Sequence, residues 1–261
     1  MLSKEQIKRY GRQLIIFGGD KQERLLSSSV LVVGAGGLGS PVIQYLAAAG
    51  VGKIGIADGD VVEISNLNRQ TIHAGNLGMN KAESAAMFVE RLNPDVSVKV
   101  YPFNITPRNA REIVRCYDVV ADCTDGFTPR YILNDACVLE KVPLVHAAVL
   151  RFFGQLMTVL PGTACYRCFL PEAPSDYQTC REAGITGITT GFFGLLQANE
   201  IIKLFLNMGE LMTNRILCAD LLSYDFDIVE VSKNEFCPAC GKNGIKEMRE
   251  DAYEETCRLR A

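Results

Sequence analysis

The stretch Ser29-Val-Leu-Val-Val-Gly-Ala-Gly-Gly-Leu-Gly-Ser40 constrains the fold more than any other part of the chain. Residues 30–33 are a short β-branched and apolar run, the pattern of a strand buried on both faces. Gly34-x-Gly36-x-x-Gly39 follows at once, and residues 41–49 then read as a helix. Strand, glycine turn and helix in that order are the context in which this spacing means nucleotide binding. The glycines let the backbone turn tightly and a phosphate come close. The helix start adds unpaired N–H groups and a positive dipole end. A second strand at 53–57 ends in Asp58, near the ~20-residue spacing at which an acid meets a ribose hydroxyl. The alternative, a glycine turn that only packs helix on strand, leaves Asp58 unexplained.

The remaining pattern predicts an α/β protein of one domain, 1–261, with N-terminal helices, a core at 29–160, closing elements at 161–240 and a tail. Ser3-x-x-Gln6 is a capping box opening a helix with Ile7, Tyr10 and Leu14 on one face, and Asp20-x-x-Glu23 reads as a second box. Strands are expected at 97–101, 118–122 and 143–149, and helices at 80–92, 109–116 and 129–140. A turn at 151–154 joins the strand at 143–149 to one at 154–160. That hairpin implies antiparallel strands in the second half. Residues 161–187 show no regular element, and a connection of that length is usually functional. A buried helix at 194–206, strands at 217–222 and 226–231 and a charged helical tail at 243–261 complete the reading.

The chain is 48% hydrophobic and 22% charged, with a net charge of −3. It lacks the basic excess of a nucleic-acid binder and any apolar run long enough to span a membrane. The polar opening residues are unlike a signal peptide, so a cytoplasmic location is expected. The ten cysteines are then thiols and metal ligands rather than disulfides.

Three further groups belong to the nucleotide side of the sheet. Ser65-Asn-Leu-Asn-Arg-Gln70 lies beyond the carboxyl end of the second strand, where such sheets bind ligands. Lys81 falls in the first turn of a helix capped by Asn80, where a cation opposes the dipole. A phosphate or ribose partner explains it, and a solvated lysine is the alternative. Asp125 sits where the 118–122 strand stops. Beside phosphates it would hold Mg²⁺, and otherwise it caps the next helix.

Cys165-Tyr-Arg-Cys168 and Cys237-Pro-Ala-Cys240 offer four soft ligands for a closed, structural zinc site joining distant parts of the fold. Two redox pairs or unrelated thiols are the alternative. Cys180 stands alone beside Arg181, a neighbour that lowers a thiol pKa, or is an ordinary cysteine. Cys116, Cys123, Cys137 and Cys218 are expected in the core. His73 and His146 have no neighbouring acid or nucleophile pattern and read as structural.

Taken together, Arg12-Gln13, Gly34-x-Gly36-Gly37-x-Gly39, Asp58, the Ser65–Gln70 run, Lys81, Asp122-Cys-Thr-Asp125 and the two C-x-x-C pairs resemble the ThiF/MoeB/HesA family. These are relatives of ubiquitin-activating enzymes that adenylate small ubiquitin-like sulfur carriers. The resemblance runs from about Lys4 to Cys240. It implies a homodimer of Rossmann-like subunits, a mostly parallel sheet extended by antiparallel strands, that binds ATP and Mg²⁺ with structural Zn²⁺. By match to the family pattern, Gly34, Gly36, Gly37 and Gly39 form the phosphate loop, with Gly37 against the phosphates. Asp58 holds the ribose with Lys81 nearby, Asn66 and Arg69 bind the terminal phosphates, and Ser65 and Gln70 of the same run belong to the nucleotide site. Asp125 handles Mg²⁺ and the carrier's C-terminal glycine. Arg12 reaches into the partner's site, and Cys180 matches a cysteine of the thiamine branch. The substrate would be a carrier ending in Gly-Gly, of the thiamine or molybdopterin pathway, with sulfur supplied by a separate protein. Gly126 departs from the asparagine of many relatives.

The chemistry suits these residues. A C-terminal carboxylate, with a pKa of about 3.3–3.7, is already ionised and needs no general base. Bringing it to the α-phosphate of ATP needs cations and a metal. A nicotinamide-dependent oxidoreductase would share the glycine loop and Asp58 but not the Arg69, Lys81 and Asp125 set. A non-catalytic scaffold would need none of it.

Overall fold

A computed structural model describes residues 1–174 and 183–253. Its strands are β1 (Ser29–Val33), β2 (Lys53–Ala57), β3 (Ser97–Tyr101), β4 (Val119–Asp122), β5 (Leu144–Leu150), β6 (Phe153–Val159), β7 (Arg215–Asp220) and β8 (Asp225–Glu230). They form one sheet in the order β3-β2-β1-β4-β5-β6-β7-β8. β3 to β5 are parallel, and β6, β7 and β8 add antiparallel. The order reverses between β1 and β4. The crevice beyond the carboxyl ends of those two strands is where such a sheet takes a ligand.

Both faces of β1 and β4 are buried, which is why they read as unbroken apolar runs. Val30, Val32 and Ala121 pack on α3 (Gly39–Ala49), α4 (Lys81–Leu92) and α8 (Gly187–Leu206). Leu31, Val33 and Val120 pack on α5 (Ala110–Val114), α6 (Phe127–Glu140) and α7 (Tyr166–Phe169). No helix among the described residues is long and apolar enough to cross a membrane.

The N-terminal region differs from the sequence pattern. The Ser3 capping box forms, with Gln6 N donating to Ser3 Oγ at 3.1 Å and Ser3 N to Gln6 Oε1 at 3.0 Å. The helix it opens, α1 (Lys4–Arg9), stops at Tyr10, and α2 (Gly11–Ser27) follows. Tyr10 is buried because its hydroxyl accepts from Asn93 Nδ2 at 2.9 Å, and Ile7 is left exposed. α2 kinks at Gly18, at a φ of 77°, so Asp20 lies inside its second segment rather than at a cap.

α8 begins well before residue 194. Its first turns, Gly-Ile-Thr-Thr-Gly-Phe-Phe-Gly, have poor helix propensity, yet Thr186 caps them by accepting from Thr189 N at 3.2 Å. Gly194 is needed there, since a Cβ would come within 2.6 Å of Leu38 O. Residues 243–250 are irregular rather than helical. They lead to Tyr253, which is buried and donates from its hydroxyl to Asp135 Oδ2 at 2.9 Å.

Candidate functional site

The turn after β1 has two kinds of glycine. A Cβ on Gly34 would lie 2.6 Å from Cys123 O, and one on Gly39 only 2.0 Å from Gly34 O. These two are demanded by the fold itself. Gly37 lies under Thr190 of α8, where a Cβ would meet Cγ2 at 2.8 Å. Gly36 is different. A Cβ there would touch only Gln70 Nε2, at an ordinary 3.6 Å, so packing does not require glycine. An open backbone at this place leaves room for a phosphate. Beside it the buried Gln70 Oε1 has no hydrogen-bond partner among the described residues.

Asp58, at the end of β2, fixes the turn. Its Oδ2 accepts from Ala35 N at 2.8 Å and its Oδ1 from Asp60 N at 2.9 Å. Burial raises its pKa above the usual carboxylate range, against the pull of those N–H groups and of Lys81. His73 closes the other side, with Nε2 2.7 Å from Ala35 O and Nδ1 2.9 Å from Ser84 Oγ. Asn76 donates to the same Ser84 oxygen at 2.9 Å, leaving the hydroxyl proton for Nδ1. Nε2 then carries the proton and donates to Ala35 O. Burial lowers the His73 pKa, which keeps this arrangement neutral.

Lys81 is neither solvated nor free. Its side chain is 9% exposed and its Nζ lies 2.9 Å from Asp60 Oδ2. Asn80 caps α4 as expected, with Oδ1 accepting from Ala82 N and Glu83 N. The same asparagine donates to Asp58 O at 3.0 Å and so ties the helix start to the acid. The Ser65–Gln70 segment turns through a short 3₁₀ helix, Ile64–Asn66. Asn66 Oδ1 accepts from Glu63 N at 3.1 Å, and Ser65 Oγ donates to Glu63 Oε2 at 3.2 Å. Arg69 donates only to Ser65 O and Asn68 Oδ1, so among the described residues its charge meets no acid. Within the segment, Gln70 lies against Gly36 and the Asn68–Arg69 backbone lies against Gly187.

Asp125 is exposed, beyond the end of β4. It is not a helix cap, because Gly126 takes the N-cap position of α6. Its neighbour Thr124 is held by Asp122 Oδ1, which accepts from Thr124 N at 3.1 Å and Oγ1 at 2.7 Å. The glycine turn thus approaches Cys123 and Thr124 at the end of β4 and Gln70 of the Ser65–Gln70 turn, and it is held by Asp58, whose neighbour Asp60 pairs with Lys81. Arg12 stands apart on α2, exposed and without an ion pair among the described residues. Cys180 lies outside the described residues.

Sequence reasoning missed the acid beside His146. His146 pairs in register with Asp122 on the adjacent strand, and its Nδ1 lies 2.7 Å from Asp122 Oδ2, both groups being buried. Chain separation hid this contact. Sequence reasoning also missed Gln197 of α8, which donates to Asp122 O and Val145 O at 2.9 and 2.8 Å. Cys123 and Cys137 are buried with thiol pKa values raised by burial, whereas Cys116 is exposed rather than core.

The four C-x-x-C thiols converge, all Sγ atoms lying within 4.8 Å of one another. Cys165 and Cys237 are 3.6 Å apart, and Cys168 and Cys240 are 3.4 Å apart. A tetrahedron of ~2.3 Å metal–sulfur bonds has edges of ~3.8 Å, so the cluster fits a zinc ion. The hydrogen bond from Cys165 draws the Cys237 thiol down to about 5, and burial pushes Cys240 up to about 11. Four sulfurs this close can all be thiolates only around a cation. Asn134 Nδ2 at 3.7 Å from Cys165 Sγ and Asn234 N at 3.5 Å from Cys168 Sγ supply outer hydrogen bonds of the kind metal sites use.

The chain belongs to the ThiF family, whose profile matches residues 10–239. The chain is 46% identical to the SAMP-activating enzyme E1 of Haloferax volcanii, over 99% of this chain and 97% of that protein. It is 42% identical to the sulfur carrier protein adenylyltransferase of Thermus thermophilus, over 99% of each. Against the adenylyltransferase and sulfurtransferase MOCS3 of Bos taurus it is 45% identical but spans only 58% of that protein. Among solved structures, E. coli MccB with MccA-N7isoASN superposes with a TM-score of 0.82 at 22% identity, covering 92% of this chain and 76% of that one. That likeness is one of fold.

Proposed function

We propose that this chain uses ATP to adenylate the C-terminal glycine of a small ubiquitin-like sulfur-carrier protein, releasing pyrophosphate. The observation that carries the reading is the opening at Gly36, which packing does not require, beside an acid-bound turn and an arginine with no acidic partner among the described residues. The named adenylyltransferase relatives that match nearly the whole chain support it.

In this reading the glycine turn receives the phosphates and Asp58 the ribose. Arg69, Asn66, Ser65 and Gln70 face the terminal phosphates, and Lys81 stays beside the nucleotide through Asp60. The attacking group is the carrier's carboxylate, ionised at neutral pH. The residues therefore have no proton to remove; they must offset negative charge at the α-phosphate. Asp125, exposed and free of a capping role, is the residue that would hold Mg²⁺, which would supply further charge neutralisation. Arg12 serves the site of a second copy in a homodimer. Zn²⁺ at the four cysteines is structural, since four protein ligands leave no open position. Cys180 is reserved for sulfur chemistry after adenylation. The carrier belongs to a thiamine, molybdopterin or related sulfur pathway.

Arg69→Ala and Asp125→Ala test the assignment. Both alter surface or half-exposed side chains, so both variants fold with an unchanged circular dichroism spectrum and lose carrier-dependent pyrophosphate release. Normal turnover in either variant refutes the assignment.

A further inference from the structure

We propose that His146 is a positioning residue for the Thr124–Asp125 turn, and that it ties this turn to the four-cysteine knuckle through Tyr166. The activity arm of this proposal rests on the adenylation reading; the structural arm does not.

The two oxygens of Asp122 face different ways. Oδ2 lies 2.7 Å from His146 Nδ1, and Oδ1 holds Thr124 through its N–H at 3.1 Å and its hydroxyl at 2.7 Å. His146 and Asp122 are 0% and 1% exposed, so no bulk water reaches the carboxylate. Its ionised form depends on protein donors and on the nearby guanidinium of Arg130. Arg130 is itself buried, donates to Thr124 O at 3.3 Å and has no ion-pair partner among the described residues. Burial keeps His146 neutral; burial also pushes the Asp122 carboxyl up, but the His146 hydrogen bond, the Arg130 charge and the Thr124 hydroxyl together leave it lowered. The balance is then one anion, one cation and a neutral ring donating through Nδ1–H.

The other side of the ring faces the knuckle. The His146 and Tyr166 rings lie 4.4 Å apart between centroids, and Tyr166 directly follows the ligand Cys165. Tyr166 N is held by Asn134 Oδ1 at 2.8 Å, the same asparagine whose Nδ2 faces Cys165 Sγ. A continuous path runs from the cysteine cluster through Tyr166, His146 and Asp122 to Thr124, one residue before Asp125. If His146 is removed, Oδ2 becomes a buried anionic oxygen without a donor. It must take up a proton or move toward water, and either response loosens Thr124.

The experiment compares the zinc-loaded full chain with His146→Leu, His146→Asn and Thr158→Val. Asparagine presents an N–H near the position of Nδ1. Thr158→Val breaks another buried hydrogen bond, to Glu200 at 2.6 Å, outside this path. Amide hydrogen exchange at residues 123–126 is expected to rise on the order of tenfold in His146→Leu, to return toward wild type in His146→Asn and to stay unchanged in Thr158→Val. Stripping zinc with a chelator raises the same exchange in wild type but adds little in His146→Leu. Adenylation kcat falls about ten- to a hundredfold in His146→Leu, as for misplacement of a group by about 1 Å, while KM for ATP changes little. Wild-type exchange at 123–126 in a zinc-retaining His146→Leu overturns the positioning role. Exchange there that ignores zinc removal, or a chain that takes up no zinc, overturns the link to the knuckle. A wild-type chain that never adenylates a carrier refutes the function reading instead, and leaves the exchange result to decide this one.

Discussion

Gly36→Ala separates a glycine kept for a ligand from glycines kept for the fold. The new methyl would meet only the Gln70 side chain at 3.6 Å, and the backbone there is not left-handed. Replacing glycine by alanine at such a position stabilises by about 0.4–1 kcal/mol, because the unfolded chain has less freedom to lose. Melting temperature should therefore hold or rise. A phosphate seated against this backbone would be displaced by the methyl, at the loss of one hydrogen bond to a charged group, about 1.5–3 kcal/mol. KM for ATP should then increase roughly ten- to a hundredfold. Gly39→Ala is the contrast, since its methyl would sit 2.0 Å from Gly34 O and the chain should not fold stably. The assays are thermal unfolding and carrier-dependent pyrophosphate release across an ATP series. A Gly36→Ala chain with native stability and unchanged KM refutes the argument that this opening receives a phosphate.

Lys81→Met keeps the buried stem and leaves Asp60, which is 56% exposed, to water. Stability should change by about 1 kcal/mol or less, while KM for ATP rises; an unchanged KM removes Lys81 from the site. Cys237→Ser should lose bound zinc, measured by elemental analysis, and melt at lower temperature; retained zinc contradicts the four-sulfur site. Acid should destabilise the fold through His73 and His146, both held neutral by burial. The unfolded chain protonates them near about 6.5 and the folded chain at lower pH. Below that value the unfolded state carries up to two more protons, so stability falls as pH drops by up to about 2.7 kcal/mol per unit. His73→Gln, which keeps a donor for Ala35 O, should roughly halve the slope in urea unfolding, and an unaltered slope contradicts the burial argument.

What the sequence reveals about this fold follows the range of the interactions involved. β2 and β3 can be bounded to the residue because their signals are local, an apolar or alternating run between turn residues. The four cysteines are legible because each pair spans a single turn and their chemistry is shared. The start of α8 is not legible, because Gly187 and Gly194 answer to Asn68 and Leu38 rather than to helix propensity. The same holds for Asp60 as the partner of Lys81. Nothing in the spacing distinguishes a paired lysine from a solvated one until β2 and α4 are placed side by side. Asp122 and His146 meet only because β4 and β5 are neighbours in register. Tyr10 breaks the first helix for a distant partner, Asn93.

The most direct test of the account is ATP–pyrophosphate exchange by the folded, zinc-loaded chain, with Gly-Gly-ending carrier proteins added one at a time. The account predicts exchange that requires one such carrier and stops when its terminal glycine is removed. No exchange with any carrier, or exchange indifferent to the terminal glycine, would contradict it.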